Sequence, residues 1–326
     1  MNRLYRKITS ILGITLLGLL SSCIYEDEIP CPCEVHFVYD YNMEFADAFP
    51  SQVNDLILFV FDADGRFITS YQDSGDHLDA NYRMSLQLEP GHYQLIAWAG
   101  LQENPDCYQL TSELESGTSI IDNLQLYLNT KTTTYEQYLG NLWHGMLADF
   151  EVKAYEPSSG TISLTKDVKR FKILLQDATG STLEKDDYHF SIVAANHKLG
   201  YDNRLLECEE MTYLPYSQDI NTIENEGNDI YALVAEMATL RLTDTLSARF
   251  IVRDEKEQTD IFNIDLIKYL NLMKLDEYAD MPLQEYLDRE NSYQIILVTG
   301  KDNSGKRIML SVRINNWTLV LNSTEL

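Results

Sequence analysis

The sequence predicts a mainly β protein of two tandem β-sandwich domains, with a short helical insertion in the second. Three observations carry this. Apolar and polar residues alternate along many short segments, which is the two-residue period of a half-buried strand. Turn-forming residues punctuate those segments, so that three strands fit within about fifty residues. A breaker cluster, Glu156-Pro157-Ser158-Ser159-Gly160, interrupts the pattern near the middle of the 326 residues and marks the expected boundary between domains 34–156 and 157–326.

The elements follow in order. Val35, Phe37 and Tyr39 alternate with Glu34, His36 and Val38, which predicts a strand. Residues 56–61 form an apolar run ended by Asp62-Ala63-Asp64-Gly65, and residues 67–71 resume it as the return arm of a hairpin. Tyr82, Met84, Leu86 and Leu88 alternate next. Glu89-Pro90-Gly91-His92 sets Pro and Gly where a type II turn wants them, and residues 93–99 follow as a strand. Leu124, Leu126 and Leu128 alternate, and residues 145–154 supply a further strand. In the second half, residues 171–175, 188–194, 230–238 and 248–252 read as strands. Ile264, Ile267, Leu270 and Met273 fall at helical spacing, and Pro282 stands at the start of a second helical turn, 283–287. Residues 293–298 and 307–314 flank Asp302-Asn303-Ser304-Gly305, another hairpin signal, and residues 317–321 close the pattern.

The N-terminus sets the address. Arg3, Arg6 and Lys7 precede an uncharged, mostly apolar run over residues 8–20, too short for a comfortable membrane span. This is the layout of a secretory signal peptide, residues 1–22. Leu20-Ser21-Ser22-Cys23 resembles a bacterial lipobox, which implies cleavage between Ser22 and Cys23 and lipid attachment at Cys23. Residues 23–33 then form a lipidated tether that begins Ile24-Tyr25-Glu26-Asp27-Glu28, an acidic run similar to a surface-export signal. An outer-membrane lipoprotein exposed at the cell surface is the expected result. Cys31, Cys33, Cys107 and Cys208 remain. Export permits disulfides, and four cysteines allow three connectivities, among which the sequence does not choose.

Charge and absent motifs exclude several function classes. There are 51 acidic and 25 basic residues, a net charge of −26. Loss of residues 1–22 removes three basic residues and no acid, taking that charge to −29. Such a surface repels phosphate backbones, so no nucleic-acid partner is expected. No nucleophile elbow, zinc-protease motif or phosphate-cradling loop is present. The chain is therefore not expected to be an enzyme, and no cofactor or metal is expected. Asp62-x-Asp64-Gly65 opens like a calcium loop but lacks the later ligands, which favours a hairpin turn. Trp98, Trp143 and Trp317 read as core residues rather than sugar platforms. Asp244-Thr245-Leu246 fits a short O-glycosylation pattern, with Thr245 as the acceptor.

Taken as an ordered set, several segments carry a family resemblance. They are Cys31-Pro32-Cys33-Glu34-Val35, Tyr39-Asp40-Tyr41-Asn42 and Ala46-Asp47-Ala48-Phe49, then Phe59-Val60-Phe61-Asp62-Ala63-Asp64-Gly65, Pro90-Gly91-His92-Tyr93 and Ala97-Trp98-Ala99-Gly100-Leu101. Further along come Leu142-Trp143-His144-Gly145, Tyr213-Leu214-Pro215-Tyr216, residues 284–290 and Ile314-Asn315-Asn316-Trp317. With the lipobox, this set resembles the FimB-type (minor-fimbrium anchor) lipoproteins of Bacteroidota over nearly the whole mature chain. The resemblance implies two transthyretin-like, Greek-key sandwich domains. It also implies a fimbrial stalk subunit as partner, joined by β-strand complementation, and an anchoring role that extends to limiting fibre length. It leaves open whether this chain accepts or donates a strand. Residues 24–34 hold no basic residue, so an arginine-directed cut there is not expected. Competing readings are a tip or minor fimbrial adhesin, a surface glycan-binding lipoprotein and a secreted hydrolase. Coplanar exposed rings would mark the second, and a deep polar pocket of converging acids the third.

Overall fold

In the computed structural model, residues 32–111, 113–223, 230–314 and 317–320 are described. The expected signal peptide 1–22, the expected lipid site Cys23, and Cys31 lie outside the described residues.

The N-terminal half contains β1 (Cys33–Val38), β2 (Asp55–Asp62), β3 (Phe67–Ser74), β4 (Met84–Ser85), β5 (Gly91–Ala99), β6 (Tyr108–Leu110), β7 (Leu126–Leu128), β8 (Thr134–Tyr135), β9 (Trp143–Val152) and β10 (Ser158–Lys166). Seven of these run in the order β3-β2-β5-β9-β10-β1-β4. β10 is the corner. Its residues 164–166 pair antiparallel with β9, while residues 158–163 pair parallel with β1 over six positions. The sheet therefore folds over on itself. Alternate residues of its two layers, among them Val35, Phe37, Leu58, Val60, Leu95, Ala97 and Ile162, fill one core.

The C-terminal half contains β11 (Lys169–Asp177), β12 (Tyr188–Ala194), β13 (Lys198–Leu199), β14 (Met211–Tyr213), β15 (Ser217–Ile223), β16 (Ile230–Thr239), β17 (Ala248–Asp254), β18 (Thr259–Asp265), β19 (Ser292–Lys301), β20 (Arg307–Ile314) and β21 (Trp317–Val320). One sheet runs β15-β16-β11-β19-β20-β21 and another β18-β17-β12-β14-β8. Phe171 and Ile173 of the first share a core with Phe190 and Phe250 of the second. That core is continuous with the outer face of β2 and β5, where Phe59, Phe61, Ile96 and Trp98 are buried.

Two strands cross between the halves. β8 pairs parallel with β14, and β13 pairs antiparallel with β7. Each half thus contributes a strand to a sheet centred on the other.

Several expectations need correction. The cluster 156–160 is the turn and first residues of β10, inside the first sheet, and the chain crosses to the second half at Asp167 and Val168. Ser158 and Gly160 hid this strand, because they occupy inward positions without apolar side chains. A Cβ on Gly160 would stand 2.7 Å from Leu147 Cδ2, so the position admits no side chain without a shift. Only Met84 and Ser85 of the alternating stretch 82–88 pair as a strand. Gly91 does not adopt a positive φ. It opens β5 opposite Val152, so the turn before it is not type II. Ile264 belongs to β18. The helix runs Leu266–Leu272, and Asp265 stops the strand by accepting the Lys268 N–H at 3.1 Å. A second helix, Leu283–Arg289, follows Pro282 as expected. On the cysteine pairing that the sequence leaves open, Cys33, Cys107 and Cys208 are free among the described residues.

Candidate assembly site: the tether seat and the seam

The described chain enters at one end of the first sandwich. The Pro32 carbonyl accepts the Ser158 N–H at 2.9 Å, and Cys33 aligns with Ser158. Beside this entry is the turn 153–157, where Tyr155 is 81% exposed and holds a φ of 64°. Strand registers set Gly91 opposite Val152 and Asp62 opposite Tyr93, at the same end. The other ends of these strands, at Val38, Ala99, Trp143 and Lys166, lead to the C-terminal half. The entry and the C-terminal half therefore lie at opposite ends of the first sandwich. Nine residues lie between Cys23 and Cys33, a reach of at most about 35 Å when extended.

Past β1 the chain is gripped by the C-terminal half. Asn291 donates from Nδ2 to Tyr39 Oη at 2.8 Å. The Arg289 guanidinium lies over the rings of Tyr41, at 4.1 Å, and Phe45, at 4.6 Å. It also donates to the Asn42 carbonyl at 3.3 Å and to Glu285 Oε1 at 2.8 Å. Such a stacked and hydrogen-bonded cation fixes both position and orientation of the loop it holds.

Beneath this grip is a buried charge network. Lys169 is fully buried and donates to the carbonyls of Asp288 (3.1 Å) and Glu290 (3.0 Å) and to Asn291 Oδ1 (2.8 Å). Three acceptors saturate the ammonium, although burial itself pulls its pKa down. Arg241 reaches Asp288 with Nε and Nη2, both at 2.9 Å, and donates from Nη1 to the Asn203 carbonyl. Asp167 is fully buried. Its Oδ1 accepts from Asn203 Nδ2 at 2.8 Å, whereas Asp167 Oδ2 and Asn203 Oδ1 have no protein partner. Burial pushes the Asp167 carboxyl well above the usual carboxylate range. Nearby, His144 donates from Nε2 to the Tyr201 carbonyl at 2.7 Å, and its ring meets Trp98 at 4.7 Å. Burial lowers its pKa to about 4, so it is neutral at physiological pH.

The Asn291–Tyr39, Arg289–Asn42 and His144–Tyr201 bonds tie the halves to each other, while Lys169, Arg241 and Asp288 tie separate stretches of the C-terminal half together beneath them. The sequence did not single them out, because Asp167-Val168-Lys169 at a strand start reads as solvated surface. The one legible cue was Asp288-Arg289-Glu290, an acid–base–acid run at the end of a predicted helix.

Of the residues singled out in the sequence, Trp98 and Trp143 are fully buried core residues, while the Trp317 side chain lies outside the described residues. Thr245 is exposed in the turn between β16 and β17, away from the entry end. Asp62 Oδ1 accepts the N–H groups of Asp64 (2.9 Å) and Arg66 (2.8 Å), and Asp302 Oδ1 does the same for Ser304 and Lys306, so both carboxylates close their own turns. Exposed Tyr138 meets Tyr216 edge to face, at 77°, which is no flat platform for a sugar. Among the described residues, no group of three or more His, Cys, Asp or Glu is placed to hold a metal ion.

A family model described as "Mfa2: Fimbrillin-A associated anchor proteins Mfa1 and Mfa2" matches residues 27–323. No curated protein matches the chain. Among solved structures, the chain is similar to a candidate adhesin of Bacteroides thetaiotaomicron VPI-5482, at 33% identity and a TM-score of 0.79, covering 91% of this chain and 100% of that one. A candidate polysaccharide-binding protein of the same organism is 32% identical, with a TM-score of 0.77 and the same coverage. The fimbrial anchor protein Mfa2 from Porphyromonas gingivalis shares the fold, at 18% identity, a TM-score of 0.71 and coverage of 89% and 99%.

Proposed function

The chain belongs to the Mfa2 family of fimbrillin-A associated anchor proteins, and from that premise we propose that it is an outer-membrane lipoprotein that roots the base of a fimbrium at the cell surface. Cys23 carries the lipid after cleavage behind Ser22. The two halves act as transthyretin-like sandwich domains, and the first stalk subunit joins by β-strand complementation. The terminal position limits fibre length.

One observation supports this above the others. The entry at Pro32 and Ser158 and the C-terminal half lie at opposite ends of the first sandwich. A lipid upstream of Cys33 then holds one end at the membrane and leaves the other end outward, toward a stalk. The chemistry asked of the protein is retention and docking, and catalysis is not needed.

The test is made in the native host. A Cys23→Ala variant should release protein and intact fibres into the medium, with fibres longer than normal. Cell-bound fibres with lost adhesion would replace the anchor with an adhesin.

A further inference from the structure

Asp167 and Asn203 meet where the chain passes from one half to the other. The Asp167 N–H donates to the Leu142 carbonyl of the N-terminal half at 2.9 Å. Its side chain accepts from Asn203 Nδ2, in the C-terminal half, at 2.8 Å. Both residues are buried. Each has one side-chain atom left over, Asp167 Oδ2 and Asn203 Oδ1, and both are oxygens without a protein partner. An ionised carboxylate can only accept, so two such oxygens cannot satisfy each other. A proton on Oδ2 changes this. A carboxylic acid and a primary amide are complementary, with N–H to oxygen on one side and O–H to oxygen on the other.

The neighbouring cations leave Asp167 to itself. Lys169 directs its ammonium at the Asp288 and Glu290 carbonyls and at Asn291 Oδ1. Arg241 directs Nε and Nη2 at Asp288 and Nη1 at the Asn203 carbonyl. Asp288 adds a competing negative charge. Tyr39, Tyr108 and His144, on the elements packed around the crossing, are neutral at physiological pH, and Asp202 on the loop is exposed. Burial outweighs the cations and holds the Asp167 carboxyl above the usual range.

We propose that Asp167 and Asn203 form a cyclic acid–amide pair closed by one proton, and that this pair is a proton-dependent clasp between the halves. Opening transfers the proton from Oδ2 to hydroxide and leaves a carboxylate oxygen facing the amide oxygen. The loop so released matters to both crossing pairs. It lies between β13, which pairs with β7, and β14, which pairs with β8. Its Tyr201 carbonyl accepts His144 Nε2 from the N-terminal half. Asn203 holds a φ of 63° there, a conformation that Asn tolerates. The clasp is closed at low pH and is lost as pH rises through the raised pKa of Asp167.

The experiment uses the purified mature lipoprotein in detergent, with 13C at the aspartate side-chain carboxyls. One carboxyl, absent from the spectrum of Asp167→Asn, should stay protonated at about pH 6, where surface aspartates are ionised. It should titrate above that pH. Protection of the Asp167, Gly200 and Asn203 amides, corrected for intrinsic base catalysis, should fall about tenfold or more between about pH 6 and pH 9. Residues 171–175 should keep theirs. Asp167→Asn, whose amide pairs with Asn203 as the acid does, should stay protected throughout. Asn203→Gly keeps the left-handed backbone and removes the amide, and should be weakly protected at every pH. An Asp167 carboxyl already ionised at about pH 6 would overturn the pair. Constant protection in wild type, or an equal fall in Asp167→Asn, would overturn the clasp.

Discussion

Arg241 meets Asp288 in a two-pronged pair, both N···O distances 2.9 Å, with side chains only 15% and 8% exposed. Arg241 follows β16, Asp288 ends the helix 283–289, and the same guanidinium reaches the Asn203 carbonyl. Three separate stretches of the C-terminal half therefore converge on one cation, directly under the loop that follows β1.

Removing one partner should be costly, because the other stays buried and charged. Arg241→Met is expected to lower stability by about 3–5 kcal/mol in urea unfolding. Arg241→Met with Asp288→Leu should recover much of that loss, since an apolar pair leaves no unmatched charge. A single-variant loss below about 1 kcal/mol would show that water already screens the pair.

His144 makes stability depend on acid. Its folded pKa, about 4, lies below the unfolded value of about 6.5. Its stabilising share is present above pH 6.5 and is lost as pH falls from 6.5 through 4, by about 3 kcal/mol in total. His144→Gln should flatten the unfolding free energy over that range relative to wild type. Parallel wild-type and variant curves between pH 4 and 6.5 would refute the assignment.

Asp167 acts with the opposite sign. Its folded pKa is raised, so the fold prefers the protonated acid and loses stability as pH rises from the ordinary carboxylate range. Asp167→Asn is fixed neutral and keeps an acceptor toward Asn203. Relative to wild type it should gain stability as pH increases from 4 to 8. A difference independent of pH would mean that Asp167 is already charged at pH 4.

Gly100 separates backbone strain from steric conflict. It holds a φ of 90°, and an added Cβ would lie 2.1 Å from the Asn141 carbonyl oxygen. Gly180 holds a φ of 77° with nothing within 4 Å of that Cβ. Gly180→Ala should cost about 1–2 kcal/mol from the left-handed conformation alone. Gly100→Ala should cost clearly more, read as a lower thermal midpoint. Equal losses would place the whole effect in the backbone.

Limited chymotrypsin should cut first at Tyr155, the most exposed large hydrophobic side chain among the described residues. The two fragments should still elute together in native chromatography. β10 stays paired with β1 and β9, and β8 and β13 still cross between the halves. Separation of the fragments after one cut would contradict that stitching.

The sequence showed what side chains with strong periods reveal. Val35, Phe37 and Tyr39 alternate with Glu34, His36 and Val38 and are buried where alternation predicts. Residues 188–194 and 307–314 are strands with the bounds their patterns imply. It did not show β10, because Ser and Gly stand at inward positions, nor β8 and β13, which are two residues long and fixed by partners far along the chain. The seam was hidden for a different reason. Lys169 and Asp167 are polar residues buried by tertiary packing, and nothing local distinguishes them from surface charge.

The parallel register of β1 on β10 has a mechanical consequence. Cys33 and Ser158 stand at the same end of their strands, and the chain beyond β10 leads to the opposite end. A steady pull on Cys33 along the strand axis, against a load held by the C-terminal half, slides β1 lengthwise past β10. All six aligned positions then share the force in shear, whereas a sideways pull would peel them one after another. The grip of Arg289 and Asn291 on residues 39–45 acts as a stop behind the strand. A strand loaded this way yields late and all at once, which suits the anchoring role proposed above.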